Sequence, residues 1–204
     1  MQFPDIGRRI RQGRRLALAR ACDARPGLRV HDALAGWGTD ALVLAALGCR
    51  VHCSERHRDV YAILDERLRT ESRRLKSPRL GWPRPTPGSN TQSLGSIGWA
   101  EEDARDRWRA SGDFDVVYLD PMFGEHPKTA LPGRPMQVLA KLVGEMAKGE
   151  IVDLIDGARR VASFRVVVKR RANAEPLVAP DWQIRARSVR FDVYRPVEPT
   201  AFVP

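Results

Sequence analysis

Long apolar runs are missing from this 204-residue chain. No stretch approaches the roughly 18 uninterrupted apolar residues of a membrane helix, so no membrane partner is expected. The opening residues, Met1-Gln2-Phe3-Pro4-Asp5, lack the apolar run and small-residue cleavage site of a secretion signal, and a cytoplasmic protein is expected. Cysteine is scarce. Cys22, Cys49 and Cys53 are odd in number and have no paired spacing, which argues against a disulfide framework. Cys49 and Cys53 flank a predicted strand and read as small buried thiols. The four histidines, His31, His52, His57 and His126, show no metal-ligand spacing, so no metal is expected. Acidic side chains are outnumbered, 25 against 35 basic ones, which leaves a net charge of +10. Such an excess suits a polyanionic partner, because neutralising phosphates releases counterions. Arginine dominates the basic set, and a coding bias toward arginine would give the same balance.

What is present is enough for one globular domain. Hydrophobic residues make up 43% of the chain, and the length allows a full core, with or without a short appendage. Residues 5–22 read as a helix, with Ile6, Ile10, Gly13 and Ala17 near helical spacing. Arg8, Arg9, Arg11, Arg14, Arg15 and Arg20 decorate it. They predict either a solvated face or an RNA-contacting arm, here set apart as residues 1–24. The remainder, 25–204, is expected to form the main domain and alternates strands with helices. Strands are expected at Leu28–His31, at Arg50–Ser54 ending at Glu55, at Ser96–Ala100, Phe114–Leu119, Phe164–Val168, Trp182–Arg187 and Arg190–Tyr194. Helices are expected at 39–47, 57–74, Asp103–Arg109, 135–148 and 151–162. Residues 76–95 are rich in proline, glycine, serine and threonine, and predict an inserted loop. The alternation implies a Rossmann-like α/β fold with a mostly parallel, doubly wound sheet.

In such a sheet, ligands bind beyond the carboxyl ends of the strands. Four strand ends carry acids in order: Asp32, Glu55, the pair Glu102 and Asp103, and Asp120. Gly36 and Gly38 in the first turn allow backbone to approach a ligand closely. The full G-x-G-x-x-G fingerprint is absent, so a pyrophosphate cradle does not fit and a nucleoside-type cofactor does. Glu55 sits where a carboxylate accepts bonds from ribose hydroxyls.

The sharpest motif is Asp120-Pro121-Met122-Phe123. It resembles the Asp/Asn-Pro-Pro-Tyr/Phe loop of methyltransferases that modify exocyclic amines of bases. An aryl amine is a poor nucleophile because its lone pair is delocalised into the ring. A carboxylate and a backbone carbonyl that accept its N–H bonds favour a pyramidal nitrogen and aim its lone pair. Proline stiffens the loop, and Phe123 offers a face for the base, worth roughly 1–3 kcal/mol.

Taken together, the chain resembles the J-type family of small-subunit ribosomal RNA guanine-N2 methyltransferases over about residues 28–195. The resemblance rests on Asp32-Ala33-Leu34-Ala35-Gly36, Asp40-Ala41-Leu42-Val43-Leu44-Ala45, Leu47-Gly48-Cys49-Arg50-Val51 and Glu55-Arg56. It continues through Val116–Phe123, Lys128-Thr129-Ala130-Leu131, Val166-Val167-Val168-Lys169-Arg170 and Arg190–Tyr194. It implies a class I methyltransferase fold with an antiparallel C-terminal strand, S-adenosylmethionine as cofactor, and 16S rRNA or the small ribosomal subunit as partner. It further implies cofactor contacts at Thr39, Asp40, Glu55, Arg56, Glu102, Asp103 and Asp120. Lys128, Lys169, Arg170 and Arg190 are expected near substrate phosphates, together with Arg8 and Arg11 of the basic helix. Family members carry a further N-terminal subdomain, whose last helix corresponds to the start of this chain. The residues alone leave open an amino methyltransferase for tRNA or DNA, a degenerate RNA-binding member, and a nicotinamide dehydrogenase.

Overall fold

A computed structural model of the protein describes residues 6–75, 95–122 and 134–197. Most of the proline-rich loop, and the expected site residues Phe123 and Lys128, lie outside the described residues.

Seven strands form one sheet: β1 Arg29–Asp32, β2 Arg50–Glu55, β3 Ser96–Glu101, β4 Phe114–Leu119, β5 Ala162–Arg171, β6 Trp182–Arg185 and β7 Val189–Tyr194. Their order across the sheet is β3-β2-β1-β4-β5-β7-β6. The first five run parallel, and β7 inserts antiparallel between β5 and β6. The order reverses between β1 and β4, so the crevice of an open α/β sheet falls at the carboxyl ends of these two strands.

Both faces of the central strands are buried, as their apolar runs require. Side chains alternate between the faces. Val116 and Tyr118 of β4 join the core under α3 (Thr39–Ala46) and α4 (Arg58–Leu75). Val117 and Leu119 join the opposite core, with Val166 and Val168 of β5. That second core is closed by α5 (Ala104–Ala110) and α7 (Lys148–Val161). Helix α7 presents Ile151, Leu154, Ile155 and Ala158, the i, i+3, i+4, i+7 spacing of a one-sided helix. Burying each of its isoleucines and its leucine contributes roughly 1.5–3 kcal/mol. Helix α6 (Arg134–Val143) instead lies beside α4, where Leu139 meets Trp37 and Val60 above the crevice.

The N-terminal segment differs from the single helix expected over 5–22. It folds as α1 (Gly7–Arg11), one 3-10 turn (Gly13–Arg15) and α2 (Ala17–Cys22). The break has a local cause. Gly13 takes a φ of 56°, and Leu16 is extended, with ψ 133°. Neither conformation continues an α-helix. The segment is also no mere appendage: Ile6, Ile10, Leu18, Ala19 and Cys22 are buried in the same core as Val30 and Leu42. Elsewhere the boundaries shift. Strand β5 is longer than the apolar run suggested, because it continues through Lys169 to Arg171 in pairing with β7. Helix α7 begins at Lys148, three residues before the expected start at 151.

Candidate active site

A cleft of about 200 Å³ opens at the carboxyl ends of β1, β2, β3 and β4. Each wall follows from a strand end. Strand β1 delivers Asp32 and the turn to Thr39, β2 delivers Glu55 and Arg56, β3 leads to Glu102 and Asp103, and β4 delivers Asp120 and Pro121. Arg9 of α1, Leu139 and Val143 of α6, and Lys169 of β5 complete the lining.

The β1–β3 half presents buried carboxylates to the cleft. Glu55 is 6% exposed, and its orientation is fixed by backbone: Oε2 accepts from Gly36 N–H at 3.0 Å and Oε1 from His57 N–H at 2.9 Å. Each carboxylate oxygen has two lone pairs, so each retains one acceptor site for a vicinal diol. Asp32 lies beside it, 2% exposed, with Oδ1 lacking a hydrogen-bond partner. Burial, together with the charges of Asp40 and Asp120, pushes the Asp32 carboxyl well above the usual range. An unpaired buried oxygen on a cavity wall has an acceptor site open to a ligand donor. Thr39 also lines the cleft, and its hydroxyl accepts from the Arg67 guanidinium at 2.8 Å, which binds Trp37 O as well. Arg67 thereby clamps the glycine turn.

Gly38 is a correction. It was expected to admit a ligand, yet it faces away from the cleft. A Cβ there would stand 2.7 Å from Leu64 Cδ1, and φ is 66°. The residue is small so that the turn packs on α4. At the rim, Arg56 pairs with Glu150 at 2.7 Å and lies 3.6 Å from Asp103, which caps α5 by accepting from Arg105 N–H.

The β4–β5 half is ionic. Lys169 Nζ stands 2.7 Å from Asp120 Oδ2 and 3.0 Å from Asp40 Oδ2. Tyr118 donates its hydroxyl to the same Asp40 oxygen at 2.5 Å, and Arg9 reaches Asp40 Oδ1 at 2.6 Å. Burial opposes ionisation of Asp40, but Lys169 and Arg9 outweigh it and hold its carboxyl well below the usual range. Burial likewise opposes the charge on Lys169, and Asp120 and Asp40 more than offset it, so the ammonium persists above the ordinary lysine range. Burial and the Asp40 charge lift Asp120 above the usual carboxylate value, with Lys169 limiting the rise. Asp120 is the least enclosed of the three, with 36% of its side chain exposed to the cleft.

Several expected substrate contacts are placed elsewhere. Arg190 is 3% exposed, and its guanidinium is committed to Asp192 at 2.8 Å and to the carbonyls of Ala172 and Ala174. Arg170 is 8% exposed and donates to Glu175 O at 2.7 Å. These arginines tie β5, β7 and the intervening loop together and are not presented to phosphates. Lys169 is also reassigned, since both carboxylates of the cleft hold it. Arg8 and Arg11 are exposed on α1, next to the cleft that Arg9 enters. Sequence reasoning missed Arg9 and Arg67. Arg9 precedes the buried Ile10 and lies three residues from Ile6, so helical spacing alone put it beside the core face. Asp40, expected as a cofactor contact, lines the cleft and is also the hub of the ion-pair cluster.

Strand order, cleft position and the acid at each strand end define a class I S-adenosylmethionine-dependent methyltransferase. The residues fit that cofactor: an orphaned acceptor at Asp32, two open acceptor sites on Glu55, and no phosphate cradle. Comparison with known proteins agrees. The family described as "Putative SAM-dependent methyltransferase" matches residues 5–196, and the chain belongs to it. Ribosomal RNA small subunit methyltransferase J from Alkalilimnicola ehrlichii is 40% identical over 197 residues, covering 93% of this chain and 70% of that protein. The protein of the same name from Photobacterium profundum is 39% identical, covering 92% and 72%. A crystal structure of a SAM-dependent methyltransferase from Neisseria gonorrhoeae is 32% identical, with a TM-score of 0.65, covering 96% of this chain and 73% of its own.

Proposed function

We propose that this protein methylates the exocyclic N2 amine of a guanine in small-subunit ribosomal RNA, working in the cytoplasm. The observation that carries the reading is Asp120. It is a carboxylate at the end of β4, open to the cleft, held by Lys169, and followed by the buried Pro121. The relatives named as small-subunit ribosomal RNA methyltransferases support the substrate class.

S-adenosylmethionine, when bound, supplies a methyl group on a sulfonium sulfur. Glu55 would hold the ribose hydroxyls, and Asp32 and the Ala33–Thr39 turn would line the cofactor on the side toward Asp120. Asp120 accepts an N–H of the guanine amine and orients the nitrogen lone pair toward the β1–β4 crevice. Lys169 keeps Asp120 in its carboxylate form, so that it stabilises positive charge as it develops on nitrogen. Once methylated, the nitrogen is acidic, and Asp120 is the nearest base to receive its proton. Phe123, next in the loop, supplies the aromatic face for the base. Arg8 and Arg11 meet phosphates beside the cleft.

The test is transfer of labelled methyl to small subunits that lack the modification, followed by nucleoside analysis. The expected product is N2-methylguanosine in 16S rRNA. Asp120→Ala should lower the rate at saturating cofactor roughly 100-fold or more. Label appearing in tRNA or DNA and not in small subunits overturns the assignment.

A further inference from the structure

A second polar array runs from behind the cofactor half of the cleft to its wall, where Ser54 and Glu102 line it, and the reaction outlined above does not use it. Trp108 of α5 donates its indole N–H to His31 Nδ1 at 2.8 Å. His31 Nε2 meets Ser54 Oγ at 2.7 Å, and Ser54 Oγ donates to Glu102 Oε1 at 2.8 Å. His52 Nε2 reaches the same Glu102 oxygen at 2.7 Å. His31 and Ser54 are fully buried, and Phe114 stacks on the His31 ring at a centroid distance of 4.6 Å.

The direction of every bond in this chain is determined. An indole N–H can only donate, so His31 Nδ1 must accept. Burial first, then His52 and Arg107, lower the His31 pKa to about 3, so the ring is neutral and carries its one proton on Nε2. Nε2 therefore donates to Ser54, and the Ser54 hydroxyl has its own proton left for Glu102. With Oε1 taken by Ser54 and His52, Glu102 has its second oxygen left for the cleft that it lines.

The place of Glu102 in the sheet says what that oxygen meets. Strands lie about 4.8 Å apart. Asp120 marks the reacting end after β4, and Glu55 holds the ribose after β2. Glu102, beyond β3, is the next step away from the reacting end.

Resting on the cofactor reading, we propose that Trp108, His31 and Ser54 are positioning residues. They form a one-directional hydrogen-bond chain that fixes Glu102 as an acceptor for the adenosine end of S-adenosylmethionine.

The experiment is titration calorimetry of the full chain with S-adenosylmethionine. The proteins are the wild type, Ser54→Ala, Glu102→Gln, the Ser54→Ala/Glu102→Gln double variant, and Trp108→Phe, which does not touch the cleft. Ser54→Ala and Glu102→Gln should each weaken binding roughly 10-fold, and the double variant should be no weaker than Glu102→Gln alone. In the methylation assay, KM for the cofactor should rise and kcat at saturation should hold. Imidazole nitrogen spectra should show His31 protonated on Nε2 alone in the wild type, and as mixed tautomers in Trp108→Phe. Wild-type affinity in Ser54→Ala, additive losses in the double variant, or an Nδ1-protonated His31 would overturn the proposal. A wild type that binds no S-adenosylmethionine overturns the cofactor reading itself, before any variant is compared.

Discussion

The two halves of the cleft are held by different physics. On the β1–β3 side, a neutral chain from Trp108 through His31 to Ser54 ends on the Glu102 carboxylate and is aligned by hydrogen-bond direction. On the β4–β5 side, Arg9, Asp40, Lys169 and Asp120 form a charge cluster of two cations and two anions. The neutral chain keeps its geometry because each member has one available role. The cluster keeps its geometry because each charge is paired with its opposite around the buried Asp40. The first arrangement suits recognition of a fixed ligand shape. The second suits a site where charge must develop on a nitrogen and then leave it, since a preorganised ionic environment needs little rearrangement.

The difference predicts unequal fragility. Removing one partner of a buried ion cluster leaves an uncompensated charge, whereas removing one neutral hydroxyl leaves one unsatisfied donor. Lys169→Met should therefore cost about 2–3 kcal/mol in urea unfolding, a value reduced from the fully buried case because a quarter of the side chain is exposed. Ser54→Ala should cost only about 1 kcal/mol. Adding Asp120→Asn to Lys169→Met should recover part of the loss, because it removes the anion that Lys169 held, while Asp40 keeps its pairing with Arg9. Equal costs for the two single variants would erase the distinction between the halves.

The pH response sharpens it next. His31 has a folded pKa of about 3 against an ordinary 6.5, so between these values the unfolded chain binds the proton and the folded chain does not. Stability from this group is fully present above pH 6.5 and falls with pH, by about 1.4 kcal/mol per unit. Asp32 acts in the opposite sense at the acid end, because its folded pKa is raised. A direct wild-type profile mixes the two. The difference between wild type and His31→Gln isolates the histidine, since glutamine offers an acceptor and a donor without titrating. The stability gap between the two proteins should narrow as pH drops from 6 to 4.5. A constant gap would mean that His31 binds its proton in the folded state. Asp40 and Lys169 lose their contributions only at the extremes. The Asp40 contribution is present above the ordinary carboxylate range and vanishes in strong acid, and the Lys169 contribution vanishes in strong base.

How much of this was legible in the sequence depends on the kind of interaction. The parallel sheet was, because Val116–Leu119 and Val166–Val168 are apolar on both faces, and only a doubly covered strand tolerates that. The acids at strand ends were visible as a pattern, and Asp32, Glu55, Glu102, Asp103 and Asp120 all line one cleft. Pairings between distant residues were not visible. The Arg190–Asp192 pair is the local exception: the two lie two residues apart on one strand face, so strand alternation alone brings the carboxylate to the guanidinium. Nothing local links His31 to Ser54 or Trp108, which are 23 and 77 residues away. The helix break at Gly13 was hidden by periodic apolar residues on both sides of it.

The smallest effect concerns the basic surface, where the ionic half reaches solvent. Arg9 is turned inward onto Asp40, while its neighbours Arg8 and Arg11 are exposed on the same helix. Salt separates these roles, because exposed charges are screened within about 10 Å at 0.1 M and a buried pair is not. RNA affinity should fall with rising salt, and Arg8→Ser and Arg11→Ser should each reduce the slope of log affinity against log salt by roughly 1. Arg9→Ser should leave that slope nearly unchanged and lower stability or turnover, through the loss of its pairing with Asp40. Filter binding of a small-subunit RNA fragment over a salt series reads the slopes. If Arg9→Ser flattens the slope as much as Arg8→Ser does, Arg9 turns outward when RNA arrives, and the ionic cluster of the cleft is then part of the RNA surface.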